Sequence, residues 1–233
     1  MILIKLLLAH IIGDFFLQSQ KSVKDKENKK LKSPKLYVHV LLHILVTALI
    51  LWNLSFWPII LIIGISHFII DALKLSLQTK KTKRLYFFID QLLHILVIIG
   101  CSIYVTQQPF DIDFVLRENH LILLLCFLFL TNPVSIIMKT IFLKWNISQL
   151  TKNNQSLEDA GKYIGILERI LVFIFIITNH WEAVGFLITA KSVFRFGDLR
   201  ESKDRQLTEY ILIGTLISFG IAIATGLLFN VFS

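Results

Sequence analysis

Several apolar runs, each long enough to cross a bilayer and none alternating with a period of two, constrain this chain more than any other feature of its sequence. A hydrocarbon core of about 30 Å takes about 17–25 residues of helix. Inside it every backbone amide must be satisfied within the protein, which leaves helices or a closed barrel. Runs such as WPIILIIGISHFIIDAL (residues 57–73) and LILLLCFLFL (residues 121–130) lack the alternation of barrel strands and predict helices. Only 17% of the 233 residues are charged, against roughly 25% in soluble domains. The fold class expected is therefore all-α: a polytopic membrane bundle of about eight transmembrane helices.

Those helices fall at about residues 2–18, 36–52, 57–77, 85–106, 118–143, 160–179, 181–199 and 207–232. The segment 19–35 (SQKSVKDKENKKLKSPK) reads as a solvated loop. The net charge of +8 would suggest nucleic acid in a soluble chain, but here it reads as basic cytoplasmic loops, and no nucleic-acid partner is expected. Lysines and arginines concentrate in alternate connections: seven lysines in 19–35, then Lys80 to Arg84, then Lys144 to Lys162, then Lys191 to Arg205. Alternate loops lie on one side, so all four are assigned to the cytoplasm and both termini to the outside. The first helix is short enough to be re-entrant. Two halves follow, residues 1–106 and 107–233. Cys101 and Cys126 lie in apolar runs and form no motif.

Five of the seven histidines fall in the first four helices, each one turn from another histidine or an aspartate. The pairs are His10 and Asp14, His39 and His43, His67 and Asp71, and Asp90 and His94. Spacing i, i+4 puts both members on one helical face. Counted from the cytoplasmic end of each helix, the pairs form two layers, roughly 5–9 Å and 10–15 Å deep at 1.5 Å per residue. Ionisable groups at such depth face the bundle interior. Imidazole with carboxylate suits zinc, manganese, iron or cobalt, and eight ligands serve one or two ions. Gln18 and Gln91 are candidates to orient the ligands. A carboxylate not used as a ligand, Asp14 or Asp90, is a candidate general base. The alternative for these residues is plain hydrogen bonding between helices, or an ion or proton path.

The segment HIIGDFFLQ (His10–Gln18), followed by HVLLH, HFIID and IDQLLH, resembles the bacterial membrane family catalogued as domain of unknown function 3307. More loosely it is similar to an inner-membrane family of predicted metal-dependent hydrolases. The motifs cover about residues 1–105, and GKYIGILERIL and AKSVFRFGDLRE resemble the second half of longer members. The resemblance implies a bacterial inner-membrane location and the same eight residues at the motif positions. Hydrolase is an activity implied by analogy alone.

In the second half Lys139, Glu168, Arg169, Lys191 and Arg195 lie toward the same side, with Ser192 and Glu209 nearby. Together they are candidates to receive a phosphate or lipid headgroup, against ordinary snorkelling and a structural charge network. Glu168 needs a cation, with Lys191 or Arg195 in reach. Pro133 predicts a kink in the fifth helix, and Gly214, Gly220 and Gly226 predict close packing of the last. Three functions fit: a metal-dependent hydrolase opening to the cytoplasm and acting on a lipid or other amphiphilic, phosphate-bearing substrate; an ion, proton or metal transporter; and a structural membrane protein stapled by a metal.

Overall fold

The computed structural model describes residues 2–106, 119–144, 160–202 and 205–232, the side chains of 54, 106 and 194–207 excepted. Every regular element among them is helical. In order these are α1 (Ile2–Ile11), which continues as a π-helical turn Ile12–Phe16, α2 (Gln20–Lys29), α3 (Pro34–Leu51), α4 (Trp57–Leu77) and α5 (Lys83–Thr106). Then come α6 (Asn119–Leu130), α7 (Asn132–Phe142), α8 (Ala160–Ile177), α9 (Trp181–Ser202) and α10 (Arg205–Phe232).

Among the described residues five spans are long and apolar enough to cross a membrane: Pro34–Leu51, Trp57–Leu77, Lys83–Val105, Asn119–Phe142 and Thr208–Phe232. A sixth results if Ile2–Phe16 and Gln20–Lys32, bent by 83° to one another, count as one broken or re-entrant span. The described residues thus form a helical protein with five or six membrane-competent helices. α8 carries Lys162, Glu168 and Arg169 within 18 residues, and α9 ends in the charged run RFGDLRES.

By contacts the chain forms two compact units, Met1–Leu125 and Cys126–Ser233. In the first, α1 packs on α3 and α5, α3 on α4, and α4 on α5, so the four helices enclose one interior. The short turns after α3 and α4 make neighbours antiparallel. Each helix buries one stripe: Leu36, His39, His43, Thr47 and Leu51 on α3, and Asp90, His94, Ile98 and Cys101 on α5. The opposite faces carry exposed leucines and isoleucines such as Leu41, Leu45, Leu49, Ile65, Ile69, Leu92 and Leu96. Histidines inside and leucines outside invert the pattern of a water-soluble helix and fit a lipid surround. The half of the interior away from the charged loops is apolar, built from Leu6, Leu51, Ile59, Ile60, Ile63, Ile98 and Cys101.

Residues 19–35 depart from the expected loop. Ser19 caps α2, its Oγ accepting from Ser22 N at 3.2 Å. Asp25 pairs with Lys29 at i, i+4 (2.6 Å) and accepts from Ser33 Oγ (2.6 Å), and those two neighbours hold its carboxyl below the usual carboxylate range. Glu27 pairs with Lys83 at the start of α5 (2.5 Å). High charge argued for solvation. A polar segment with a cap and one inward anchor still forms a helix.

In the second unit α8 packs along α10, with α7 and α9 also against α8. The expected kink falls at Thr131, a one-residue interruption between α6 and α7 within the span Asn119–Phe142, with Pro133 in the first turn of α7. A Cβ on Gly226 would lie 2.7 Å from Ile176, and one on Gly214 3.3 Å from Phe142, as close packing requires. One on Gly220 would meet nothing within 4 Å among the described residues.

Candidate metal centre

The four buried stripes of the first unit bring all eight sequence-selected residues together. Asp14 stands at the centre. Its Oδ1 lies 3.0 Å from His43 Nε2, 3.2 Å from His39 Nε2 and 3.5 Å from His67 Nε2. Its Oδ2 lies 3.7 Å from His10 Nε2 and accepts from Gln91 Nε2 at 3.0 Å. His39 Nε2 and His67 Nε2 are 3.0 Å apart, and the His43 and His67 rings stack at 3.7 Å. Five imidazoles and three carboxylates fall into three overlapping groups: His10, Asp14, His43 and His67; His39, His67 and Asp71; and Asp14, Asp90 and His94. Within each group the ligand atoms lie within 4.8 Å of one another.

These separations suit an ion. Donors 2.0–2.1 Å from a tetrahedral zinc stand about 3.3 Å from one another, and the distances from Asp14 Oδ1 to the Nε2 atoms of His39, His43 and His67, with that between His39 and His67, bracket that value. A carboxylate oxygen offers about two lone-pair directions. Three nitrogens within 3.5 Å of one oxygen exceed them, and a cation between all four serves every one.

The π turn Ile12–Phe16 positions Asp14. Such turns widen the helix by one residue, and here Leu17 N reaches back to Ile12 O at 3.0 Å. Beside it Gly13 lets the His43 ring lie against the backbone. A Cβ there would stand 2.4 Å from His43 Cε1 and 2.5 Å from Nε2. We expect Gly13→Ala to displace the imidazole and weaken metal binding at least about 10-fold, the scale of changes that disturb ligand orientation. Competition with a chromophoric chelator measures it, and unchanged affinity would refute the packing role.

Both glutamines take part. Gln18 Nε2 lies 2.9 Å from His39 Nε2, and Gln91 reaches His10 (3.3 Å), Asp14 and Asp90 (3.2 Å). His94 Nδ1 donates to the Asp90 carbonyl at 2.8 Å, which leaves its lone pair on Nε2. Four buried side-chain polar atoms among the described residues have no partner, and three belong here: His39 Nδ1, Asp90 Oδ1 and His94 Nε2. A cavity of about 10 Å³, room for about one water, is lined by His10, His43, His67 and His94 together with Thr47, Ser66 and apolar residues.

Two lysines were not foreseen in the site. Lys26 Nζ donates to Asp71 Oδ2 at 2.7 Å, and Lys74 Nζ to Asp90 Oδ2 at 2.8 Å. Lys74 follows Asp71 by three residues on the buried stripe of α4, a spacing that could have revealed it. Lys26 is one of seven lysines in its segment, and nothing in the sequence singles it out.

The polar set of the second unit disperses. Lys191 pairs with Glu168, as that carboxylate required. Arg169 is buried and spends its donors on oxygens at the α6–α7 break: Nε to Leu130 O (2.7 Å), Nη2 to Ser135 Oγ (2.8 Å) and Thr131 O (3.2 Å), and Nη1 to Ser218 Oγ (3.2 Å). That geometry favours the structural network over the phosphate reading for Arg169. Lys139 is exposed. The Arg195 side chain lies outside the described residues. His180 is exposed beside Glu182, 3.0 Å away.

No curated protein and no solved structure matches the chain. The family match therefore carries no activity with it, and the looser likeness to metal-dependent hydrolases remains an expectation of the motifs. A family described as protein of unknown function, DUF3307, matches residues 2–123, more than half of the chain and the whole of the His/Asp cluster, and the chain belongs to that family.

Proposed function

We propose that this chain is a multi-pass protein of the bacterial cytoplasmic membrane, with eight spans and both termini outside. Its N-terminal unit holds a divalent transition ion (zinc, manganese or iron) near the cytoplasmic face and hydrolyses a lipid or other amphiphilic, phosphate-bearing substrate. The observation that carries the metal reading is the convergence of three imidazole Nε2 atoms on one oxygen of Asp14 at 3.0–3.5 Å. Charge supports a single ion. Asp71 and Asp90 are neutralised by Lys26 and Lys74, so only Asp14 brings an unmatched negative charge. Asp14, His39, His43 and His67 are then the ligands, with Gln91 orienting Asp14 through its Oδ2.

A bound ion would acidify a water and polarise the scissile bond. The water-sized cavity beside the imidazoles supports an open position over a closed, stapling site. His94 lines that cavity with an unpartnered Nε2 and a fixed tautomer, which favours it as proton acceptor over Asp14, a ligand, and Asp90, held by Lys74 and Gln91. The apolar interior on the far side, from Leu6 to Cys101, argues against a conduction path.

Element analysis of protein purified without chelators should find about one tightly bound transition ion per chain, lost in His43→Ala. Protein that stays metal-free after supplementation would refute the reading. Turnover of chromogenic amphiphilic phosphate esters in mixed micelles should require that ion and should fall at least about 100-fold in His94→Gln, the scale of a lost general base. A stoichiometric ion without turnover on any such ester would leave the stapling function in its place.

A further inference from the structure

We infer that α2 is a lid on the charged-loop side of the metal centre, latched by the Lys26–Asp71 ion pair, and that it lifts to admit an amphiphilic substrate. The inference rests on the hydrolase reading above and extends it to how the substrate enters.

The centre is closed. His39, His43, His67 and His94 are between 1% and 4% exposed, and the cavity beside them has room for about one water. No ester of an amphiphile enters such a space, so an element of the first unit has to move. α1, α3, α4 and α5 are fastened to one another by the apolar core from Leu6 to Cys101, and burial of that core opposes their separation. α2 is not fastened in that way. Its sequence, QKSVKDKENK, has a single apolar residue, Val23, which is only half-buried. The one residue that α2 buries is Lys26.

What holds α2 down is polar. Lys26 Nζ donates to Asp71 Oδ2 at 2.7 Å, and that oxygen lies 3.8 Å from His39 Nε2, so the latch sits against the centre itself. Glu27 pairs with Lys83 at the start of α5 (2.5 Å), both side chains partly in solvent, and Asp25 accepts from Ser33 just before α3. Such ties exchange for water at small net cost, because the ions regain the hydration that pairing removed. Joints flank the helix at both ends. Before it Leu17 to Ser19 are non-helical, and there the chain turns by 83°. After it Lys30 has φ 51°, a strained conformation for a residue with a Cβ. A few residues at the ends of an element, able to absorb a change of φ and ψ, are what a hinged lid needs.

The test measures access to the site in the full-length protein. Diethyl pyrocarbonate modifies an imidazole when the reagent can reach it, and peptide mass spectrometry reads the rate at His10 and His94, the two site imidazoles not assigned to the ion. Lys26→Met combined with Asp71→Asn cuts the latch and leaves no charge unpaired. It should raise the rate at least about 10-fold, the change in open population that one hydrogen bond to a charged group supplies. In a Cys101→Ser, Cys126→Ser background, a flexible, reducible bis-maleimide joining Glu27→Cys to Lys83→Cys should lower the rate by as much. Reducing the linker should restore it, which excludes damage by the substitutions. The same linker should stop turnover of the amphiphilic ester until it is reduced. A modification rate that the linker or the latch variant leaves unchanged overturns the lid, and ester turnover in that protein would keep the hydrolase reading standing. Rates that follow the lid while no ester turns over uphold the lid and overturn the hydrolase.

Discussion

Replacing Asp14 by Asn should weaken metal binding at least about 100-fold, more than any other single carboxylate substitution in this chain, because changes that disturb only ligand orientation already cost about 10–100-fold. Asn keeps the size of Asp and can still accept from Gln91, so the first unit should fold. What it loses is the one carboxylate charge that no lysine matches. Asp14 faces His10, His39, His43 and His67, while Asp71 and Asp90 each share a charge with an ammonium. Asp71→Asn and Asp90→Asn should therefore lose no more than about 10-fold, as residues beside the ion rather than on it. Titration with a fluorescent zinc indicator gives the order directly. If Asp71→Asn or Asp90→Asn loses as much as Asp14→Asn, the ion is not centred on Asp14.

The polar interior was legible because helical spacing is a strict rule. Four pairs at i, i+4, on helices whose other faces are apolar, could only face inward, and matched depth made their meeting a consequence of topology. Gln18 and Gln91 were legible as neighbours of those pairs. α2 was not, because its signals are local ones that charge obscures: a Ser cap, an i, i+4 ion pair and a single buried lysine among seven. The π turn at Ile12–Phe16 leaves no periodic mark either, since one inserted residue within five, IGDFF, is too short a change to count. Gly13 was visible as a glycine in a helix, but only the position of the His43 ring explains it. In the second unit, composition put Arg169 at a cytoplasmic interface. What turned it inward is a break whose carbonyls need donors, and Pro133 announced the break without naming the donor.

That role makes Arg169→Ala the change with the largest expected effect on stability. The guanidinium spans the α6–α7 break and donates to two backbone carbonyls and two hydroxyls within the unit. Carbonyls freed inside a membrane protein have no water to turn to. A hydrogen bond from a charged donor contributes roughly 1.5–3 kcal/mol, and an orphaned buried acceptor costs about 1–3 kcal/mol. Allowing for overlap between them, the variant should lose about 3–4 kcal/mol, or on the order of 10 °C in unfolding midpoint. Cys126 lies in this unit and Cys101 in the other. In a Cys101→Ser background, reaction of Cys126 with a fluorogenic thiol reagent therefore follows the second unit alone during heating in detergent. Arg169→Lys should recover part of the loss, since an ammonium can reach fewer of the four oxygens. Arg169→Met distinguishes the causes: it fills the volume, donates nothing and removes a charge that is costly to bury. A methionine variant as stable as wild type would mean that the guanidinium's hydrogen bonds only offset its own desolvation, and that the break is held by packing rather than by Arg169.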